Sequence, residues 1–189
     1  MKSGEREQKT GNFLTNSAPD PARIDENKFA SRSRSPKRGR VEEVEKLARK
    51  IISELKPFCE KINIAGSIRR HEKKHADIDI VLIPKDRKKL ENFMRTRGKF
   101  LQGGEHESTW KVQEVQIELY YTNEKEWGAE LLAYSSPKGS AIGLRVLAKK
   151  KGFHLTQHGL FKGKKIIASK TEKEIYRALG KKYKKPEDR

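Results

Sequence analysis

Two aspartates one residue apart, Asp77-Ile78-Asp79, open the apolar run Ile80-Val81-Leu82-Ile83, and they follow the step Gly66-Ser67-Ile68-Arg69-Arg70. A glycine-serine turn entering a helix offers backbone N–H groups and a hydroxyl to a phosphate. Side chains two apart on a strand point to the same side, so both carboxylates would share one edge of a sheet. Such a pair can hold two Mg²⁺ ions roughly 3.5–4 Å apart, the arrangement used for in-line displacement at phosphorus. Either half is weak alone. At this spacing, leading into a strand that reads as buried, the two make a strong signal for nucleotidyl transfer.

A two-metal site usually takes a third acidic ligand. Glu118 is the candidate, on a strand expected beside Asp77 and Asp79, where Gln116 and Tyr120 share its parity. The same glutamate also reads as a solvent-facing side chain on a half-buried strand, and the pattern alone does not choose between the two.

The elements that must position these residues follow from periodicity. Val41, Val44, Leu47, Ala48, Ile51, Ile52 and Leu55 fall on one helical face, and Pro57 ends that helix. Lys61 to Ala65 reads as a short strand, Ile78 to Ile83 as a second stopped by Pro84, and Lys88 to Arg97 as a helix closed by Gly98. Glu107–Lys111 and Val115–Tyr121 read as two further strands, the second alternating apolar and polar positions. Helices are expected at Lys125–Tyr134 and Lys138–Lys151, then short strands around Gly159 and Gly163. Thr171-x-x-Glu174 has the form of a capping box, opening a last helix that closes at Gly180. The fold class is α+β, a mixed sheet backed by helices.

At 189 residues the chain can build one ordinary core or two small subdomains. Its net charge is +18, and the distribution is uneven. Residues 149–189 carry fourteen Lys/Arg against four Asp/Glu, whereas residues 41–148 carry twenty against seventeen. An unbalanced basic segment suits a polyanion, nucleic acid first, because each neutralised phosphate releases counterions. Residues 1–40 hold ten basic and five acidic residues with little apolar material, the composition of a flexible basic tail. Cys59 is the only cysteine, so no internal disulfide forms and a reducing compartment fits. His71 and His75 read as polar loop residues. No apolar run approaches the ~20 residues of a membrane span and no signal-peptide core is present, so a soluble intracellular protein, in cytoplasm or nucleus, is expected.

The run Gly66-Ser67-x-Arg69-Arg70, the pair Asp77-x-Asp79, the strand Val115-Gln116-Ile117-Glu118-Leu119 and the element Leu155-Thr156-Gln157-His158-Gly159-Leu160-Phe161 resemble the family X (polymerase beta-like) DNA polymerases. Within that family the likeness is to a small viral member made of palm and thumb alone, and it extends from about Val41 to Arg189. The resemblance implies a nucleotidyltransferase-type palm at 41–124 and a small basic α+β thumb at 125–189. It implies Asp77, Asp79 and Glu118 as ligands of two Mg²⁺ ions, with Mn²⁺ able to substitute. Gly66, Ser67 and Arg70 would meet the incoming triphosphate, while Arg69 would brace the palm. Tyr134, Ser135, Ser136 and Thr156 would border the sugar and base, and Arg145 the template minor groove. Lys149, Lys150, Lys151, Lys162, Lys164 and Lys165, flanking one thumb hairpin, would contact DNA phosphates. The implied partners are gapped or primer-template DNA, a dNTP or also an NTP, and a DNA ligase acting afterwards, with the polymerase a monomer.

Three positions depart from the family pattern. Glu118 replaces an aspartate, Ala133 replaces a bulky residue, and Ser136 replaces a glycine, which is expected to re-aim the turn there. Nothing matches the family's lyase domain, so deoxyribose-phosphate lyase activity is not expected. Two other readings stand beside the polymerase: a transferase of the same palm fold acting on RNA, protein or a small molecule, and a nucleic-acid-binding protein with an inactive site.

Overall fold

The helical stripe that begins the readable part of the chain forms α1 (Arg38–Leu55) and buries Val44, Leu47, Ala48, Ile51 and Leu55. The computed structural model describes residues 38–189. The helix starts at Arg38, so the last residues of the expected tail are helical, and the remainder of that expectation lies outside the described residues. Pro57 sits in a 3₁₀ turn, Lys56–Phe58, that ends the helix and leads into the first strand.

Five strands form one mixed sheet: β1 (Cys59–Ile64), β2 (Asp77–Pro84), β3 (Lys99–Gly103), β4 (Glu107–Val112) and β5 (Val115–Tyr121), in the order β1-β2-β5-β4-β3. Only the central β2–β5 pair is parallel; the other neighbours are antiparallel. The pleat then separates chemistry from packing. Ile78, Ile80 and Leu82 of β2 and Ile117, Leu119 and Tyr121 of β5 join the core beneath α1 and α3 (Arg87–Arg97). The alternate positions, Asp77, Asp79 and Val81 with Gln116, Glu118 and Tyr120, therefore lie on the opposite face. There Val81 and Tyr120 pack with Ala65 and with Leu131 of α4 (Trp127–Ser135). The N-cap of α3 is Asp86, whose side chain accepts from the Lys89 N–H at 3.1 Å, a contact typically worth about 1 kcal/mol.

Strand β3 was not legible in the sequence. All five of its residues are exposed, so no alternation marks it.

The remaining chain builds a second core. It comprises α5 (Lys138–Lys150), the antiparallel sheet β6 (His154–Thr156), β7 (Gly159–Lys162) and β8 (Lys165–Ala168), and α6 (Glu172–Ala178). Leu144, Ala148, Leu155, Leu160, Ile175 and Leu179 meet there with Ala129 and Leu132 of α4. Helix α4 thus serves both cores, Leu131 on the large sheet and Leu132 on the small one. Its Gly128 lets α6 approach closely, since a Cβ would fall 2.2 Å from the Thr171 Cα. Thr171 caps α6 by accepting from the Glu174 N–H at 3.2 Å, as the capping box anticipated.

Candidate active site

In the parallel β2–β5 register Asp77 stands opposite Gln116 and Asp79 opposite Glu118. Three carboxylates therefore share the face toward α4. Glu118 accepts from Gln116 Nε2 at 2.6 Å through one oxygen and from the Tyr120 hydroxyl through the other. The same hydroxyl lies 3.3 Å from Asp79 Oδ1, so one phenolic proton is shared between two acids. Tyr120 is buried and its pKa is raised, by burial first and then by the charges of Asp79 and Glu118, so it remains a donor at any physiological pH.

Burial, followed by the charges of Asp77 and Glu118, pushes the Asp79 carboxyl up to about 7; the Tyr120 hydrogen bond and Arg70 act in the opposite sense. The burial and neighbouring charge that raise Asp79 are what a hard cation relieves, and an all-carboxylate donor set suits Mg²⁺. The residues present fit the ions that the family resemblance implies.

Gly66 adopts φ +58° at the start of α2 (Gly66–Arg69), and a Cβ there would fall 1.8 Å from Asp79 Oδ2. The glycine makes room for the carboxylate, a reason for it that the sequence did not disclose. The Ala65 N–H, donating to the Asp79 carbonyl at 2.8 Å, fixes the turn against β2.

Ser67 Oγ lies 3.1 Å from His75 Nδ1, and His75 Nε2 lies 3.2 Å from Glu45 Oε1 of α1. His75 is 1% exposed, which corrects its reading as a polar loop residue: it is a buried link between α1 and the glycine-serine turn. A serine hydroxyl is one donor and two acceptors, so Ser67 can hold this contact and still meet a further polar group.

The two arginines have separate tasks. Arg70 reaches Glu72 through Nε at 2.7 Å and the Ser135 carbonyl through Nη1 at 3.4 Å, and its charge is felt at Asp79. Arg69 turns away to Glu172 of α6, with nitrogen–oxygen distances of 2.9 and 2.8 Å, and donates to Ser135 Oγ at 2.8 Å. Glu172 also meets Arg189 at 2.9 Å and the Tyr183 hydroxyl at 3.2 Å. Burial opposes its charge, but the hydrogen bonds and charge of Arg69 and the charge of Arg189 outweigh burial and hold its carboxyl below the usual range.

On α4 the Tyr134 ring stacks on Tyr120 with centroids 3.6 Å apart. Ser135 is fully buried and its hydroxyl accepts from Arg69, which ties this end of α4 to the Arg69–Glu172 pair. Ser136 has φ −93° and ψ 136°, an extended conformation that any residue adopts, and donates to the Leu132 carbonyl at 2.7 Å. Ala133, Ser136, Arg145 and Thr156 line one recess between α4, α5 and β6. Thr156 Oγ1 accepts from the His158 N–H at 3.1 Å. Lys149, Lys150 and Lys151 are exposed at the end of α5, and Lys162 and Lys165 pair across the β7–β8 hairpin with exposed Lys164 in its turn.

A family model described as the DNA polymerase beta thumb matches residues 131–189. The repair DNA polymerase X of African swine fever virus, from a South African tick isolate, is 31% identical over 147 residues, covering 71% of this chain and 84% of that protein. The Badajoz strain's repair DNA polymerase X is 29% identical over the same length with the same coverage. DNA polymerase IV of Saccharomyces cerevisiae is 36% identical over 74 residues, 39% of this chain and 13% of that one. A mixed sheet carrying an acidic trio beside a glycine-serine turn, joined to a polymerase-beta thumb, defines a DNA polymerase. The chain belongs to family X, and it is a DNA-directed DNA polymerase.

Proposed function

We propose that this polymerase fills short gaps in duplex DNA by two-metal-ion nucleotidyl transfer to a primer 3′-hydroxyl, with a palm at 41–124 and a thumb at 125–189. The observation that carries the reading is the register of Asp79 against Glu118, with Asp77 on the same face and the Gly66-Ser67 turn bonded to the same strand. Two Mg²⁺ ions held by Asp77, Asp79 and Glu118 would lower the pKa of the attacking hydroxyl and stabilise charge on the transferring phosphoryl group. Gly66 keeps Asp79 in place, Tyr120 and Gln116 orient Glu118, and Arg70 lies beside the acids to receive triphosphate charge. Ser67 offers its hydroxyl to a phosphate.

Tyr134, Ser136 and Thr156 border the nucleotide, and Arg145, in the same recess as Ser136 and Thr156, reaches the template. The exposed lysines of α5 and the β7–β8 hairpin hold backbone phosphates, which position DNA without reading its sequence. Filling a gap to its end leaves a nick, whose 3′-hydroxyl and 5′-phosphate are the substrate of a DNA ligase.

The test is primer extension on a one-nucleotide gap with Mg²⁺ or Mn²⁺. Asp77→Ala and Asp79→Ala are each expected to abolish incorporation while leaving DNA binding largely intact. Full activity in either variant would remove the assignment. Glu118→Asp is expected to retain activity, because strand register places the carboxylate.

A further inference from the structure

Away from the acidic trio, Glu126, Glu130 and His158 bring three donor atoms within 4.8 Å of one another. Glu126 precedes α4 and Glu130 lies one turn on, so both carboxylates project from the same side of the helix. His158 lies between β6 and β7 and turns its Nδ1 to both, 2.8 Å from Glu126 and 3.9 Å from Glu130. We propose that Glu126, Glu130 and His158 form a second divalent-cation site, of the zinc type, that ties α4 to the β6–β7 turn.

Two observations point to a ligand rather than to a plain ion pair. The Glu130 side chain is 4% exposed, and the cationic group the structure pairs with its carboxylate is the His158 nitrogen, 3.9 Å away. No lysine or arginine pairs with Glu126 or Glu130 among the described residues, so two acids share one imidazole. A buried carboxylate left in this condition is costly unless it is protonated or ligated.

The distances suit a small cation. Zinc bonds of about 2.0–2.2 Å at a tetrahedral angle set donor atoms about 3.4 Å apart. The observed separations are a 2.8 Å hydrogen bond to Glu126 and a 3.9 Å ion pair to Glu130; they bracket that value, and a bound cation would take the place of the shared proton. Imidazole with carboxylates favours a transition ion over Mg²⁺.

The test separates this site from the acidic trio by working in an Asp77→Asn/Asp79→Asn background. The full-length, chelator-stripped protein is titrated with Co²⁺, whose visible absorption reports tetrahedral coordination, and then with Zn²⁺ by calorimetry and thermal unfolding. One equivalent of Co²⁺ with strong visible bands, displaced by Zn²⁺ and accompanied by a rise in Tm, is expected. His158→Ala, at a partly exposed position, should weaken Zn²⁺ binding by at least about tenfold and remove the bands. Glu130→Gln should do the same, and if it fails to fold the histidine variant still decides. Absence of visible bands in the background protein, or unchanged affinity in His158→Ala, would overturn the proposal.

Discussion

The carboxylate of Asp79 occupies the space that a side chain on Gly66 would need, its Oδ2 lying 1.8 Å from the Cβ position. The glycine and the aspartate come from different elements, and their proximity ties the entry of α2 to the acidic strand. Gly66→Ala must therefore turn Asp79 aside, besides placing an L-residue at φ +58°. The backbone term is only about 1–2 kcal/mol, so the fold should survive. With Asp79 in the proposed metal-binding role, displacing its carboxylate by about 1 Å is expected to cost kcat at least about 10²-fold. Primer extension with a parallel urea unfolding curve checks both halves, and an alanine variant with native kcat would mean that Asp79 has room to move.

Glu172 sets the pH dependence of stability. Its carboxyl is held below the unfolded value of 4.5, because Arg69 and Arg189 outweigh the burial that opposes its charge. A depressed folded pKa contributes stability that is fully present above 4.5 and is lost as pH falls through the lower folded value. Glu172→Gln leaves Arg69 and Arg189 without their shared partner, which costs about 3–5 kcal/mol at neutral pH. The gap between variant and native protein should narrow steadily in acid. Urea midpoints measured from neutral pH down through the carboxylate range decide the point: a constant gap would assign the loss to packing.

The parts of this molecule that the sequence disclosed are those governed by short periods. Ile78, Ile80 and Leu82 alternate with Asp77 and Asp79, and Ile117 and Leu119 with Glu118, so both central strands and their polar face could be read directly. The stripe of α1 and the Thr171 cap of α6 are equally local. What stayed hidden depends on partners far along the chain. His75 looks like a loop histidine until Glu45 and Ser67 are brought to either side of it. Arg69 and Glu172 meet across more than half the chain, and no pattern near either residue announces the other. The contact of Ser135 with Arg69 is hidden for the same reason, since the arginine that donates to its hydroxyl belongs to α2.

The lysines of the thumb are exposed and solvated, so their contribution to DNA binding should appear as a salt dependence. If Lys149, Lys150, Lys151, Lys162, Lys164 and Lys165 each neutralise a phosphate, log K should fall against log salt with a slope near −5, at roughly −0.9 per contact. Replacing Lys162, Lys164 and Lys165 with alanine should flatten the slope by about 2.7 units on the same scale and weaken different sequences alike. Binding measured by fluorescence anisotropy over a salt series tests this. A slope that the triple variant leaves unchanged would place the DNA elsewhere.

Sugar selection is expected to be weak, and the recess beside α4 explains why. Ala133 lines it together with Ser136, Arg145 and Thr156, so the position where the family keeps a bulky residue carries only a methyl group. Tyr134 cannot readily swing in to compensate, because its ring is stacked on buried Tyr120 with an interplanar angle of 16°. The Ser136 hydroxyl is turned back to the Leu132 carbonyl, which leaves it no part in excluding a ribose 2′-hydroxyl. A pocket that merely tolerates an added hydroxyl discriminates by about 10² at most. The ratio of kcat/KM for dNTP over NTP on a one-nucleotide gap should lie below that figure, and Ala133→Tyr should raise it by about tenfold or more. A native ratio above roughly 10³, about 4 kcal/mol, would show that the backbone of the turn is itself the gate and that the size of residue 133 is irrelevant to it.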